Sequence, residues 1–432
     1  MKKIVVLGSG FAGVNAVKAL CRDKHLEITI VDERNYHLFQ PLLYQVAIGA
    51  LSPSDIAVPI RSIFSRYPNV RVLKESARSV DLKNRKVATD VQKLDYDYLV
   101  MACGAKHSYF GHDEWEQFAP GLKTLEQAVE IRDRMLEAFE DAERGCDEEC
   151  TRRLLTFIVV GGGPTGVELS GAIAEMGHLV LRGDFRTIDP RKIRVVLIEA
   201  GPRILAGFSE KMSRRAKDDL EGMGVEVRTQ ARVTSIDEDG VEIGNERIVA
   251  ATVIWAAGVE AAAINKTLGI ELDRAGRISV ERDLSVKGYP DVFVIGDQAN
   301  CAGREGRPLP GIATVALQQG DFVGRNICRR IRGLPGKDFR FIDKGKAATI
   351  GRNKAIVEVG PFKFTGLFAW VIWLFIHVWF LTGFENRAVV VLEWAWAYVR
   401  HRYGARIILS KDWRFYRGSR DDVETRSTAR SS

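Results

Sequence analysis

Phe157–Glu175 reads FIVVGGGPTGVELSGAIAE, and its first half decides the fold. Phe157 to Val160 is a β-branched, apolar run of the kind that forms a short buried parallel strand. Gly161, Gly163 and Gly166 follow as G-x-G-x-x-G. In that pattern one glycine makes the bend, one lets backbone approach a pyrophosphate, and one lets the helix pack on the strand. Pro164 opens the helix at no hydrogen-bond cost, because the first N–H groups of a helix have no internal partner. Those donors, with the helix dipole, attract phosphate. Glu168, read into the first turn of this helix, is an odd addition if phosphate binding were the whole task. Two readings of it stand level: an acid that steadies the helix dipole by a few tenths to about 1 kcal/mol, or a group working at a reaction centre.

The pattern occurs twice. At the N-terminus Ile4 to Leu7 leads into Gly8, Gly10 and Gly13, a helix runs on through Ala16 to Leu20, and the strand Glu27 to Val31 ends on Asp32. Asp32 lies nineteen residues after Gly13, the spacing at which an acid reaches a ribose 2′-OH. The second unit's next strand, Ile193 to Ile198, ends on Glu199, thirty-three residues after Gly166, with an extra loop expected in Gly177 to Lys192. An acid at Glu199 favours NADH, since a 2′-phosphate would meet like charge. Two βαβ units in one chain imply two dinucleotides, one resident and one passing through. The fold class expected is α/β with two Rossmann-like domains.

Composition suits a large folded enzyme facing the cytoplasm. The chain has 432 residues, and 63 Lys and Arg against 56 Asp and Glu leave a net charge of +7, too modest to suggest nucleic-acid binding. Its six cysteines (21, 103, 146, 150, 301, 328) show no C-x-x-C and no zinc spacing, and read as reduced thiols. The first strand is entered directly from Met1-Lys2-Lys3, and no signal peptide is expected.

In chain order, Asn35 to Ala47 is informative for what it lacks. Disulfide reductases of the two-dinucleotide class carry a cysteine pair in this region; here the segment is apolar and aromatic, with Pro41 to break a helix. It suits either a wall beside a flat ring or ordinary core. Residues 69–100 read as short strands and hairpins, ending in an apolar strand and Gly104, and Val253 to Gly258 repeats that strand-to-glycine pattern. Leu125 to Glu143 reads as a solvated helix with one buried stripe, and Arg144 to Arg153 as a crossing between domains. Val292 to Ile295 is a buried strand ending in Gly296-Asp297, where an acid meets either a ligand hydroxyl or a helix N-cap. Pro310 to Gly320 begins a further helix.

Taken together, GSGFAG, HLFQPLLYQVA, GGGPTGVELSGAIAE, LIEAGPRIL, WAAGV, VFVIGD and DKGKAATIGR resemble the type II NADH:quinone oxidoreductases, to about residue 410. The resemblance implies non-covalent FAD on the first unit (Gly8, Gly10, Gly13, Asp32, Gly104, with Asp297 on the ribityl chain). It implies NADH as substrate on the second (Gly161, Gly163, Gly166, Glu199, Gly258), a membrane quinone as acceptor, and no proton pumping. It places Glu168 beside the flavin and Lys344 on the quinone side. Ala313 to Gln319 resembles the family's A-Q-x-A-x-Q quinone motif, with Gln318 matching its second glutamine and Thr314 standing where the first is expected. The domains expected are FAD-binding at 1–153 and 261–345, NADH-binding at 154–260, and a membrane-anchoring region with a polar tail at 346–432. Two rivals are a sulfide:quinone oxidoreductase, whose sulfur chemistry would fall to Cys103 and Cys301, and a membrane-docked flavin redox sensor.

The C-terminal segment reads on physics alone. Phe364 to Phe384 is twenty-one residues without Asp, Glu, Lys or Arg, long enough to tempt a spanning reading. Trp370, Trp373, Trp379 and His377 prefer the interface, and Gly366 and Thr382-Gly383 trim the helix to about sixteen residues, about 24 Å, short of a core of about 30 Å. A second helix is expected over Arg387 to Arg400. The pair fits a monotopic hairpin at about 364–400 lying on the cytoplasmic face of the inner membrane, with a buried helix or an oligomer contact as the alternative. A homodimer stays open, and Ser419 to Ser432 reads as a disordered tail.

Overall fold

The architecture comes from a computed structural model that describes residues 1–303, 306–382, 384–400 and 403–409, with backbone alone at 384–385 and 397–400. The tail expected from Ser419 onward lies outside the described residues.

The first sheet runs, in spatial order, Ser285–Val286, Tyr289–Val294, Tyr98–Met101, Lys2–Leu7, Leu26–Asp32 and Val70–Lys74, parallel throughout except for the first pair. Alternate residues bury on opposite faces: Ile4, Val6, Ile28, Ile30 and Phe293 on one, Val5, Leu7, Leu99 and Val294 on the other. A parallel sheet buried on both sides needs such continuous apolar strands. The strand Tyr289–Val294 comes from late in the chain, so the first unit is completed only after the second has been threaded through.

The second sheet is smaller and parallel: Val225–Arg228, Arg194–Ile198, Thr156–Val160, Thr252–Trp255. The extra loop of this unit holds a π-helical turn, Met176–Val180, and a 3-10 turn, Pro190–Lys192. The helix Leu125–Glu143 forms where expected, but it is not a solvated surface. Gln127, Glu130, Arg132 and Asp133 are buried with its apolar stripe, because the helix lies under Leu43–Ala47 as well as the second sheet. The expected crossing after it contains a short helix, Glu148–Leu154.

Two close backbone approaches bring the late chain to the early chain. The helix Ala313–Ile331 lies against Phe11–Leu20 with Gly320 facing the Ala12 carbonyl, where an added Cβ would come within 2.2 Å. The helix Pro164–Glu175 meets the next sheet at Gly171, where a Cβ would stand 1.7 Å from the Ile350 oxygen. That sheet is antiparallel, Lys346–Gly351, Lys354–Val359 and Phe362–Thr365. Its buried Ala348, Ile350, Ile356 and Val357 belong to the folded core.

The helix Gly366–Phe380 lies on this sheet by Ala369 and Trp373, and a second helix, Phe384–Arg400, comes next in the chain. At fifteen residues the first is about 22 Å long. Among the described residues no helix is long and apolar enough to cross a membrane. The side away from the sheet exposes Phe368, Val371, Phe375 and Trp379, a stripe at helical spacing. Residues 403–409 then return across the body: Ala405 N–H donates to the Gly49 carbonyl at 3.1 Å, Arg406 pairs with Asp184, and Leu409 N–H donates to Asp133 Oδ2 at 3.2 Å.

Candidate active site

The two glycine turns are near copies. Gly8 and Gly161 adopt φ of 92° and 115° against the next strand's backbone, a region closed to most side chains. A Cβ on Gly13 or Gly166 would stand 1.9 Å from the carbonyl of Gly8 or Gly161, so these positions fix how tightly helix meets strand. Gly10 and Gly163 have no atom within 4 Å of where a Cβ would be. That open floor at a helix start is what a pyrophosphate needs. The strand-end acids repeat as well: Asp32 Oδ2 accepts from Ser9 N–H at 2.6 Å, and Glu199 Oε2 from Gly162 N–H at 2.7 Å. Each acid therefore shapes its glycine turn from the place where a ribose would lie.

Around the first turn, Asp297 sits after Gly296 and beside Gly311, with Lys123 Nζ 3.4 Å from its carboxylate. Gln319, fully buried, accepts from Gly296 N–H at 2.7 Å, and Gln298 accepts from Cys103 N–H at 2.9 Å. The buried Gln298 Nε2 has no partner of its own, an unpaired donor that a polar ligand chain would satisfy. The open floor at Gly10, Asp297 and this amide fit a bound FAD. Gly104 has open space around it, whereas Gly258 is closed by Phe110, 2.6 Å from where its Cβ would be.

A cavity of about 120 Å³ opens where the two units meet the C-terminal helices. Tyr44 and Gln45 line it from the first unit, Glu168, Ala172 and Glu175 from the second, Thr349 and Arg352 from the antiparallel sheet, and Trp373, Trp394 and Tyr403 from the C-terminal segment. Gln45 ties two of these groups, donating to Tyr44 Oη at 2.9 Å and accepting from the Trp394 indole at 2.7 Å.

Glu168 is the fifth residue of its helix, and no acid stands in the first turn. The dipole reading therefore fails: a helix-end effect fades within that turn. Its carboxyl faces the cavity and accepts one long bond, 3.4 Å, from Thr349 N–H. Burial pushes its pKa up to about 8, with Thr349 and the Trp373 indole pulling the other way. Trp373 Nε1 is close enough to exert that pull yet makes no hydrogen bond of its own. Beside it His377, stacked on Trp373 at 4.0 Å, is driven down to about 4 by burial.

Among the sequence candidates for the acceptor chemistry, Glu168 lines this cavity and the others do not. Gln318 is held by Ile342, donating to its carbonyl at 2.9 Å and accepting from its N–H at 3.0 Å. Thr314 is the second residue of the helix Ala313–Ile331, and Lys344 is exposed on the stretch before Lys346–Gly351. Gln298, Gln319, Glu175, Trp394 and Tyr403 join these sites without being singled out by sequence pattern. Glu175 was legible as a second acid seven residues after Glu168 on an otherwise apolar helix; Trp394 and Tyr403 depend on how the C-terminal chain returns, which no local pattern encodes.

Residues 2–320 match the pyridine nucleotide-disulphide oxidoreductase family, and the doubled glycine turn on two parallel sheets is the architecture of that class. The chain is 42% identical to the type II NADH:quinone oxidoreductase NdhA of Mycobacterium tuberculosis, over 95% of this chain and 90% of that protein. It belongs to the type II NADH:quinone oxidoreductases. Its fold is similar to NDH2 from Plasmodium falciparum in complex with NADH, with TM-score 0.87 at 20% identity, covering 95% of this chain and all of that one. It is less similar to the sulfide:quinone oxidoreductase of Aquifex aeolicus, with TM-score 0.73 at 20% identity over 97% of this chain and all of that one. Cys103 and Cys301 suit sulfur chemistry poorly: burial raises both thiols, Cys103 to about 12, so neither offers a ready thiolate.

Proposed function

We propose that the cavity between Glu168 and the C-terminal helices receives the quinone, and that Glu168 gives it a proton. The observation that carries this reading is the Glu168 carboxyl facing an aromatic cavity at the junction of both dinucleotide units, with one long hydrogen bond and a pKa that burial raises. Bound FAD supplies two-electron transfer from nicotinamide to quinone. The residues assigned to hold it are Gly8, Gly10, Gly13, Asp32, Gly104 and Asp297. Gly161, Gly163, Gly166 and Glu199 receive NADH, and Gly258 acts through the packing of Phe110 instead of contact. Lys344, Gln318 and Thr314 keep supporting roles at most, with Gln318 positioning the chain at Ile342 that leads to Lys344.

The domain limits that go with this reading are 1–153 and 261–345 for FAD and 154–260 for NADH, with the membrane-facing part from about residue 366. The stripe Phe368, Val371, Phe375 and Trp379 lies in the headgroup region of the cytoplasmic leaflet, and a quinone enters the cavity from below it. Pairing of two copies is tested by sedimentation of the detergent-solubilised chain.

The reading is tested by anaerobic stopped-flow absorbance at the flavin band. NADH should bleach it and a short-chain quinone should restore it rapidly and repeatedly. Bleaching without recovery would favour the redox sensor.

A further inference from the structure

Glu175 lines the cavity with Glu168, and the acceptor chemistry described so far leaves it without a task. Seven residues are close to two helical turns, so the two acids share one face with a rise of about 10.5 Å between them, and Ala172 lies on the same wall. Both are tied to one hairpin: Thr349 N–H donates to Glu168 at 3.4 Å, and Arg352 N–H to Glu175 at 3.1 Å. The space between is polar at both ends. The whole cavity of about 120 Å³ is roomy enough for ordered water between polar partners. Glu175 is at the outer end, next to half-buried Arg352 and one turn before the exposed Leu179.

We propose that Glu175 reloads the cavity with protons: it returns a proton to the Glu168 carboxylate after Glu168 has given its own to the quinone. This rests on the reading of the cavity as the quinone site. The step is a proton transfer alone. The O–H bond of Glu175 breaks, an O–H bond on Glu168 forms, and the negative charge passes to Glu175, which takes its next proton from solvent. One proton from solvent balances each turnover, because the quinol's other hydrogen comes from NADH as hydride.

The surroundings of Glu175 suit the task. Arg352 and Lys354 face it from the hairpin, Tyr44 from the first unit, Tyr403 from the returning C-terminal segment, and Glu168 from its own helix. Burial keeps both tyrosines neutral. Burial also raises Glu175 to about 7, against the pull of Arg352 and Lys354, whereas Glu168, with no cation acting on it, goes to about 8. The two cations steady the carboxylate left on Glu175 once its proton has passed to the inner acid.

The test uses the full-length, flavin-loaded protein in detergent, with NADH and a short-chain quinone, for Glu175→Gln and Glu175→Asp. Glu175→Gln should lower kcat about tenfold or more at pH 8, less at pH 6, with KM for quinone unchanged. Formate should restore part of the rate, and Glu175→Asp should keep most of the wild-type pH profile. Infrared titration of the flavin-free protein should lose one carboxyl that titrates near 7 in Glu175→Gln. A wild-type pH profile in Glu175→Gln, or an equal loss at both pH values without rescue, would overturn the relay. Ala50→Phe, which narrows the cavity, separates the two claims. If it leaves quinone turnover intact, the cavity reading fails; if it blocks turnover while Glu175→Gln behaves as wild type, only the relay fails.

Discussion

At the scale of single residues, the two cavity acids tie stability to pH in a direction opposite to most carboxylates. Glu168 has a pKa raised from 4.5 to about 8 in the folded chain. Between those values the unfolded chain releases its proton and the folded chain keeps it, so folding loses stability as pH rises, by up to about 1.4 kcal/mol per unit. Partial contact with cavity water reduces this to a few kcal/mol in all. Glu168→Gln should therefore gain stability over wild type as pH goes from 5 to 9, read as the difference in urea midpoint at each end. Equal differences at both ends would mean that the carboxyl is not held neutral. At the first glycine turn, Asp32→Ala removes the acceptor for Ser9 N–H and Oγ and for Arg34 N–H. It should cost about 1–3 kcal/mol and weaken FAD retention, measured by flavin absorbance after gel filtration.

At the scale of elements, the cavity exists because one helix lies unusually close to one hairpin. Gly171→Ala would place a methyl about where the Ile350 carbonyl stands, 1.7 Å away, so the hairpin must move off the helix. Such overpacking costs about 1–3 kcal/mol, and it pulls Thr349 from Glu168 and Arg352 from Glu175. Quinone reduction should slow more than NADH oxidation with a soluble artificial acceptor; equal slowing would mean general destabilisation. This contact shows where sequence reading stops. The glycine turns, the strands and the helix Gly366–Phe380 follow from local pattern, because periodicity and turn chemistry are properties of neighbours in the chain. That Gly171 meets Ile350, or that Leu125–Glu143 buries Gln127 and Asp133 instead of solvating them, depends on partners far along the sequence. Glu168 was legible as an anomaly in an apolar helix, but its place beyond the first turn, and hence its role, needed the helix start to be known.

At the scale of the whole molecule, the chain completes its first unit last, then lays its C-terminal helices across the junction of both units. The apolar stripe Phe368, Val371, Phe375 and Trp379 lies on the first of those helices, whose Trp370, Trp373 and Leu374 line the cavity that holds Glu168. Phe368→Ser with Phe375→Ser should reduce cosedimentation with anionic vesicles severalfold while leaving turnover with a water-soluble quinone largely intact. Unchanged vesicle binding would assign the stripe to a contact between copies. The C-terminal return was the least legible part: Ala405, Arg406 and Leu409 are fixed by Gly49, Asp184 and Asp133, contacts with no signature in the chain itself.

The most direct test of the central claim is the pH dependence of quinone-driven flavin reoxidation in wild type and Glu168→Gln, by stopped-flow from pH 6 to 9. If Glu168 protonates the quinone, the wild-type rate falls as pH passes about 8. Glu168→Gln should then be slower by about a hundredfold and flat across the range, with NADH-driven bleaching unaltered. A Glu168→Gln enzyme that reoxidises at the wild-type rate, with the wild-type pH profile, would contradict the account.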